Sequence, residues 1–389
     1  MRIVHVCISE RYEEGASYQE NLLSKRHKDL GNDVFIIASQ DYFDGKTKST
    51  EHRPASDYIN DNGIPVSILP NNHSFQYSSL FCDVTKGLYD KLVEIKPDVI
   101  FVHGVTVKDN RHIARYARNH KDIKVFADNH NDYETSPLTK RFSKLKARIF
   151  AHHAKYLIPC TECFWGTIPL RVEYLQRIYK IPAERTDFLV MGGDDKIIEK
   201  LDRGVCHQTI REKYGIPQDA FLVITGGSFD RRKQQHLLME SVSGLKERNV
   251  WLLAFGEPTP DMKNIIDKYR SVPNIVFTGW LPSDKAYELF LSSDLAFFPG
   301  HHSVLWEQAA ACGLPIIVKQ ARGTEHVSVD GNAVLMEEVT PVSITNVLLD
   351  LLFTDRFYQM REMAIKVAPV FYLSNMALKA IALPSKTLQ

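Results

Sequence analysis

The chain has 389 residues, room for two or three domains with full cores. At 44% hydrophobic and 24% charged it has the make-up of a globular protein. Its 48 Lys+Arg against 47 Asp+Glu leave a formal charge of +1, which excludes a general attraction to nucleic acid and confines any basic function to a local patch.

The N-terminus enters directly into a strand, MRIVHVCIS, and no apolar run approaches the roughly 18 residues of a membrane span. The expectation is a cytoplasmic protein without signal or transmembrane segment. Six scattered cysteines, several in apolar runs, fit reduced thiols. Cys160 and Cys163 have CxxC spacing but no second pair, so buried thiols at a strand end are expected rather than zinc.

Strand-like apolar runs cover Ile3–Ile8, Val34–Ala38, Val66–Leu69, Val99–His103, Lys124–Ala127 and Tyr156–Pro159. Helical periodicity fills the gaps, as in Tyr18–Leu30, Val84–Ile95 and Arg111–Asn119. After the first strand, Gly15 opens a loop that lets backbone approach a ligand. The loop is not GxGxxG, so no dinucleotide fingerprint is present. His103-Gly104 ends one strand, and Asp128-Asn-His130-Asn-Asp132 follows the next. That alternation reads as a metal site, as hydrogen-bond partners of sugar hydroxyls, or as a plain polar loop. Residues 139–155 hold six Lys/Arg and no acid, with Leu138, Phe142, Leu145 and Ile149 on one helical stripe. Either the stripe packs on the sheet, or the helix lies on an anionic membrane as a peripheral contact at its inner face.

The series restarts after a polar stretch at 192–211, in which Asp194-Asp195 reads as solvated hinge carboxylates. Strands follow at Phe221–Thr225, Val250–Phe255, Ile275–Phe277, Leu295–Phe298 and Pro315–Val318, with a helix at Gln234–Lys246. Unalternating strands joined by helices predict an α/β protein of two doubly wound parallel-sheet domains facing a central cleft. The expected division is 1–195 and 205–369, with the helix at Ser374–Ile381, inside 370–389, crossing back onto the first domain. Gly226-Gly227 leads into Arg231-Arg232-Lys233, three cations before a helix that could neutralise a diphosphate. Later, strand, Pro-Gly turn, His301-His302, Ser303 as N-cap and the helix VLWEQAAAC aim backbone N–H groups of residues 302–304 at an anion. Glu307, one turn in, would bind hydroxyls of a ribose. An ordinary strand–loop–helix with a surface glutamate is the alternative.

With these residues in place the chain resembles the retaining glycosyltransferases of family 4, which have the GT-B fold of two Rossmann-like domains. The resemblance is carried by REKYGIPQDAFLVITGG, RRKQQHLLMESV, NIVFTGWLPSDKAYELFLSSDLAFFPG and LWEQAAACGLPII, in order, and by the N-terminal GASYQENLLSKRHKDLG. It implies transfer of a sugar, with retention and without a metal or other cofactor, from a nucleotide-sugar (UDP-linked on family frequency) to a glycan or lipid-linked acceptor. By position Lys233 matches the diphosphate-binding lysine and residues His302, Ser303 and Val304 the backbone donors, while Arg231 or Arg232 would have to supply the charge of the family's arginine. Glu307 matches the ribose-binding glutamate, Trp280 and Leu281 the segment beside the base, His130 the histidine near the donor sugar, and Gly15 the loop over the diphosphate. The chain departs from the family at Ser228 and Pro299, where an arginine and the first glutamate of the E-x7-E motif stand. A sugar-nucleotide epimerase or hydrolase and a non-catalytic nucleotide-sugar-binding subunit are the other readings left open.

Overall fold

A computed structural model describes residues 1–14, 19–44, 49–72, 80–134, 136, 138–139 and 141–383. The chain divides into two compact units, Met1–Val190 together with Met376–Gln389, and Met191–Asn375.

In the first unit the elements run β1 (Arg2–Cys7), α1 (Gln19–Asp29), β2 (Asp33–Ser39), β3 (Asp41–Asp44), β4 (Ser49–His52), β5 (Ser56–Ile59), β6 (Pro65–Leu69), α2 (Leu88–Ile95), β7 (Val99–Val102), α3 (Asn110–Asn119), β8 (Lys124–Asn129), α4 (Arg141–Lys155), β9 (Thr161–Gly166), α5 (Pro169–Arg177) and β10 (Thr186–Phe188). The eight-stranded sheet has the order β10-β9-β8-β7-β1-β2-β6-β5, with only β5 antiparallel to its neighbour. Strands such as VIFV on β7 are buried along their whole length, because helices cover both faces. The chain's last helix belongs here in part. Trp165, fully buried, donates its indole N–H to the Ala380 carbonyl at 3.0 Å, and Lys379 Nζ donates to Phe188 O at 2.6 Å.

The second unit runs α6 (Asp195–Ile198), α7 (Arg203–Tyr214), β11 (Phe221–Gly226), α8 (Gln235–Ser243), β12 (Val250–Phe255), α9 (Lys263–Ile266), β13 (Ile275–Gly279), α10 (Ala286–Ser292), β14 (Leu295–Phe298), α11 (Leu305–Ala311), β15 (Ile316–Lys319), β16 (Ala333–Met336), α12 (Pro341–Leu351), α13 (Asp355–Val367) and the start of α14 (Leu373–Ala380). Its six parallel strands lie in the order β13-β12-β11-β14-β15-β16. That is the doubly wound order, reversing direction between β11 and β14; in the first unit the reversal falls between β1 and β7. In such sheets ligands bind beyond the carboxyl ends of the strands at the reversal. Arg211, fully buried on α7, ties this sheet down, giving to Asp294 at 2.9 Å and to the Ala220 carbonyl at 2.7 Å.

Three local expectations are corrected. Tyr156–Pro159 is not a strand: the N–H groups of Leu157, Ile158 and Cys160 are spent on the turns that end α4, and pairing with β8 starts at Thr161. Asp194 and Asp195 are not solvated. Asp194 caps α6 through Lys196 N, and Asp195 accepts from Ser374 N and Oγ at 2.9 and 2.6 Å. The stripe on α4 does not pack on the sheet, since Phe142 and Leu145 are 58% and 50% exposed, and the helix buries its alanines 147, 151 and 154 instead.

Candidate functional site

In the second unit the site is built where β11 and β14 part. Gly227 sits at φ +95, and a Cβ there would stand 2.8 Å from Lys233 Nζ. The glycine thus admits the ammonium against the backbone. Gly300 performs the matching task across the gap: a Cβ on it would fall 2.3 Å from Arg232 O, and His301 N donates to that carbonyl at 3.1 Å. The basic turn and the loop after β14 are thereby locked together. A small pocket between them is lined by Thr225, Lys233, Gln235, Gly300, His301 and Ser303, among others. Two buried oxygens of that lining, Thr225 Oγ1 and Gln235 Oε1, have no hydrogen-bond partner among the described residues. Such orphans mark a place where an absent polar group would be held.

The cations of the turn are not equivalent. Lys233 is half-buried, and burial draws its pKa down, with Asp230 opposing. Arg231 and Arg232 are exposed and already paired, to Asp261 at 2.9 Å and Asp230 at 3.0 Å. Asp230 also accepts from the backbone N–H groups of Arg232 and Lys233, which shapes the turn. Lys233 is therefore the cation aimed at the pocket, and Arg232 must leave Asp230 to help.

Ser303 is not the N-cap. Val304 holds that position, and Ser303 Oγ accepts weakly from Leu305 N at 3.4 Å. Glu307 is not a surface carboxylate either. It is fully buried, with Oε1 taking hydrogen bonds from His302 Nε2 at 2.7 Å and His326 Nε2 at 2.8 Å. Burial would raise its pKa, but the two imidazoles outweigh it and hold the carboxyl well below the usual range. Its second oxygen, Oε2, is buried without a hydrogen-bond partner among the described residues. Their three ligating atoms lie within 4.8 Å of one another, the one such group of potential metal ligands among the described residues. Tetrahedral zinc would hold such atoms about 3.3 Å apart, whereas the observed 2.7 and 2.8 Å are hydrogen-bond lengths. His326 was missed in the sequence because nothing in TEHVS marks it out; only the fold brings it to Glu307. Trp280, just past β13, is 72% exposed, with Leu281 half-buried beside it.

The first unit gathers its polar residues at the corresponding place. Asp128, at the end of β8, is buried and accepts from His103 Nδ1 at 2.8 Å and from Gly104 N at 2.8 Å. His130 Nε2 stands 3.5 Å from Asp128 Oδ1, too far for a formed hydrogen bond, and has no other partner among the described residues. Burial disfavours charge on His130, yet Asp128 prevails and lifts its pKa to about 9. The metal reading of the D-x-H-x-D run is not what the chain builds, because Asp132 turns away to Arg171 at 3.1 Å. Glu20, buried on α1, has its pKa lifted to about 7 by burial, although nearby His103 and His130 oppose this. Gly15 lies outside the described residues. Cys160 and Cys163 are free thiols whose pKa values burial pushes up to about 11 and about 12.

Residues 207–369 match the family model described as glycosyl transferases group 1. The match lies within the second unit. The lipopolysaccharide core biosynthesis glycosyltransferase LpsE of Rhizobium meliloti (strain 1021) is 26% identical over 184 residues, 45% of this chain and 54% of that protein. The chain thus spans about half the length of the curated relative it matches. HepE of Anabaena, solved in complex with UDP, superposes with a TM-score of 0.68 at 15% identity, covering 97% of this chain and 98% of that one. A glycosyltransferase from Rickettsia africae ESF-5 gives 0.69 at 15% identity, covering 97% and 96%. At that identity these structures speak for the fold, the GT-B arrangement of two Rossmann-like domains. Among the described residues no helix is long and apolar enough to cross a membrane.

Proposed function

We propose that this protein is a retaining glycosyltransferase that moves a sugar from a UDP-sugar to a glycan or lipid-linked acceptor. The observation that carries the reading is Lys233, held by Gly227 against a pocket whose Thr225 and Gln235 oxygens lack partners, inside the group 1 match. The UDP of HepE and the lipopolysaccharide role of LpsE, taken with the α4 cations, suggest the donor and the acceptor class. In this reading Trp280 and Leu281 flank the base, and the 302–304 loop gives backbone N–H groups to the phosphates. His130 and Gly15 border the donor sugar and diphosphate.

The bond from the sugar C1 to the β-phosphate oxygen breaks while an acceptor hydroxyl oxygen bonds C1 on the same face. The hydroxyl proton passes to the departing phosphate, and no protein nucleophile is assigned. Lys233, with Arg232 released from Asp230, takes up the charge that grows on the diphosphate. These fixed cations supply the stabilisation, so the reading is metal-independent. His130 orients the sugar. The basic face of α4, beside exposed Phe142 and Leu145, lies on anionic lipid as a peripheral contact at the inner membrane face.

A panel of UDP-, GDP-, ADP- and dTDP-sugars in a thermal-shift assay, then turnover with and without acceptor and with EDTA, tests the proposal. Expected are stabilisation by UDP-sugars and EDTA-resistant turnover that needs acceptor. Turnover without acceptor would point to an epimerase or hydrolase, stabilisation without any turnover to a binding subunit, and no stabilisation by any member ends the reading. Sedimentation with anionic liposomes tests the membrane contact: Arg141→Glu/Lys144→Glu should bind less, and equal binding removes it.

A further inference from the structure

Three histidines behind Asp128 take no part in the mechanism above, yet they form one continuous buried chain. His27, on α1, bonds through Nε2 to the Ala377 carbonyl at 2.8 Å and through Nδ1 to His5 Nε2 at 3.0 Å. His5, in the middle of β1, bonds through Nδ1 to His103 Nε2 at 2.9 Å. His103 then bonds through Nδ1 to Asp128 Oδ2 at 2.8 Å. All three rings are fully buried, and those of His5 and His103 stack.

The chain's ends fix its protons. A carbonyl at one end and a carboxylate at the other are both acceptors, and four hydrogen bonds between them need four hydrogens. Three neutral imidazoles carry three. One surplus proton is therefore trapped. The Ala377 carbonyl forces hydrogen onto His27 Nε2, His27 Nδ1 then accepts from His5 Nε2, and His5 Nδ1 accepts from His103 Nε2. The surplus is driven to the His103–Asp128 pair, where the Gly104 N–H supports an ionised carboxylate. Burial holds His27 down to about 4 and His5 well below its ordinary value, both neutral, in agreement with the count.

We propose that His5, His27 and His103 are positioning residues for His130: their chain satisfies Asp128 from behind with a hydrogen-bonded imidazolium, so that His130 keeps its Nε2 hydrogen free for an oxygen of the donor. The proposal rests on the glycosyltransferase reading for the identity of that oxygen, and on geometry for the rest. Losing a proton from the chain would leave two acceptors facing each other, a buried defect costing on the order of a hydrogen bond plus desolvation. Without the chain's demand for four hydrogens, His103 can turn neutral. The full charge of Asp128 then acts on His130 and draws the ring in. Other titratable groups around the cluster are Cys7 on β1, Glu10 after it, Glu20 on α1 and Arg171 on α5. Glu20 titrates near neutrality and shapes the acid side of any profile, leaving the alkaline side to His130.

The test is long-range nitrogen-15 NMR of the imidazoles in the intact chain near neutral pH, joined to the pH profile of UDP-sugar turnover. Expected in the wild type are a His103 ring with hydrogen on both nitrogens and single-hydrogen Nε2–H rings at His5 and His27. His27→Leu should leave one hydrogen on His103 and move the alkaline limb up by about one pH unit, since a cation beside Asp128 is lost. His27→Gln, whose amide can both give to Ala377 O and accept from His5, should restore the two-hydrogen ring and the limb. A single-hydrogen His103 in the wild type overturns the proposal, as does His27→Leu leaving ring and limb unchanged. Should no UDP-sugar bind, the NMR result still decides the chain, while the donor reading alone falls.

Discussion

Each unit sets a carboxylate between two imidazoles at the carboxyl side of its sheet, and the two arrangements behave differently. Glu307 spends one oxygen on both His302 and His326 at 2.7 and 2.8 Å, and all three side chains are closed in. Asp128 is satisfied from behind by His103 and Gly104 N, which leaves His130 at 3.5 Å, part-exposed and uncommitted. A histidine already bonded to a carboxylate is framework, whereas one held just beyond bonding distance of an already satisfied carboxylate is poised for a ligand. Motif position alone would have ranked Glu307 above Asp128 as a ligand-facing carboxylate. The difference lies in the histidines instead: both partners of Glu307 are bonded to it, whereas His130 beside Asp128 is not.

The largest expected effect lies outside both triads. Lys233→Ala should lower turnover about 10³-fold, because the neighbouring Arg231 and Arg232 are each already paired with an acid. Unchanged turnover with a verified acceptor would remove charge stabilisation at the second unit as the main contribution. Next, Asp128→Asn should cost about 10²-fold and move the alkaline limb of the profile down from about 9, since the anion that raises His130 is gone. A limb that stays in place would break the pairing of Asp128 with His130.

Glu307→Gln should change turnover by less than about tenfold but destabilise the fold by about 2 kcal/mol, the loss of charged hydrogen bonds at a sealed site. Its sign with pH is fixed by linkage. The folded carboxyl is held below its unfolded value of about 4.3, so its stabilisation is full above that value and is lost as pH falls below it. Denaturant unfolding followed across pH should therefore show the wild type losing its advantage over Glu307→Gln below about pH 4. Equal acid sensitivity of the two would mean that Glu307 is not held ionised by its histidines. A loss of turnover matching that of Asp128→Asn would mean instead that the two triads do the same work.

Most strands were legible in the sequence because parallel strands covered on both faces are apolar without alternation, and Val250–Phe255 and Leu295–Phe298 coincide with the predicted runs. The short edge strands β5, β10 and β16 were not, since a few residues with one covered face carry too little pattern. The amphipathic stripe of α4 was read correctly as a periodicity, but which side met the sheet was decided by its small alanines, not by Phe142 and Leu145.

The sequence by itself determined the succession of buried strands and helices, the glycines that let Lys233 and the β14 loop approach, and the family resemblance of the second half, because each is a matter of local spacing. Only the tertiary structure decided which side chains share a proton. His5, His27 and His103 are as much as 98 residues apart, β15 separates His302 from His326 in the sequence, and the hydrogen bonds that link the first three and join the other two to Glu307 exist only once the parallel sheets set their neighbours.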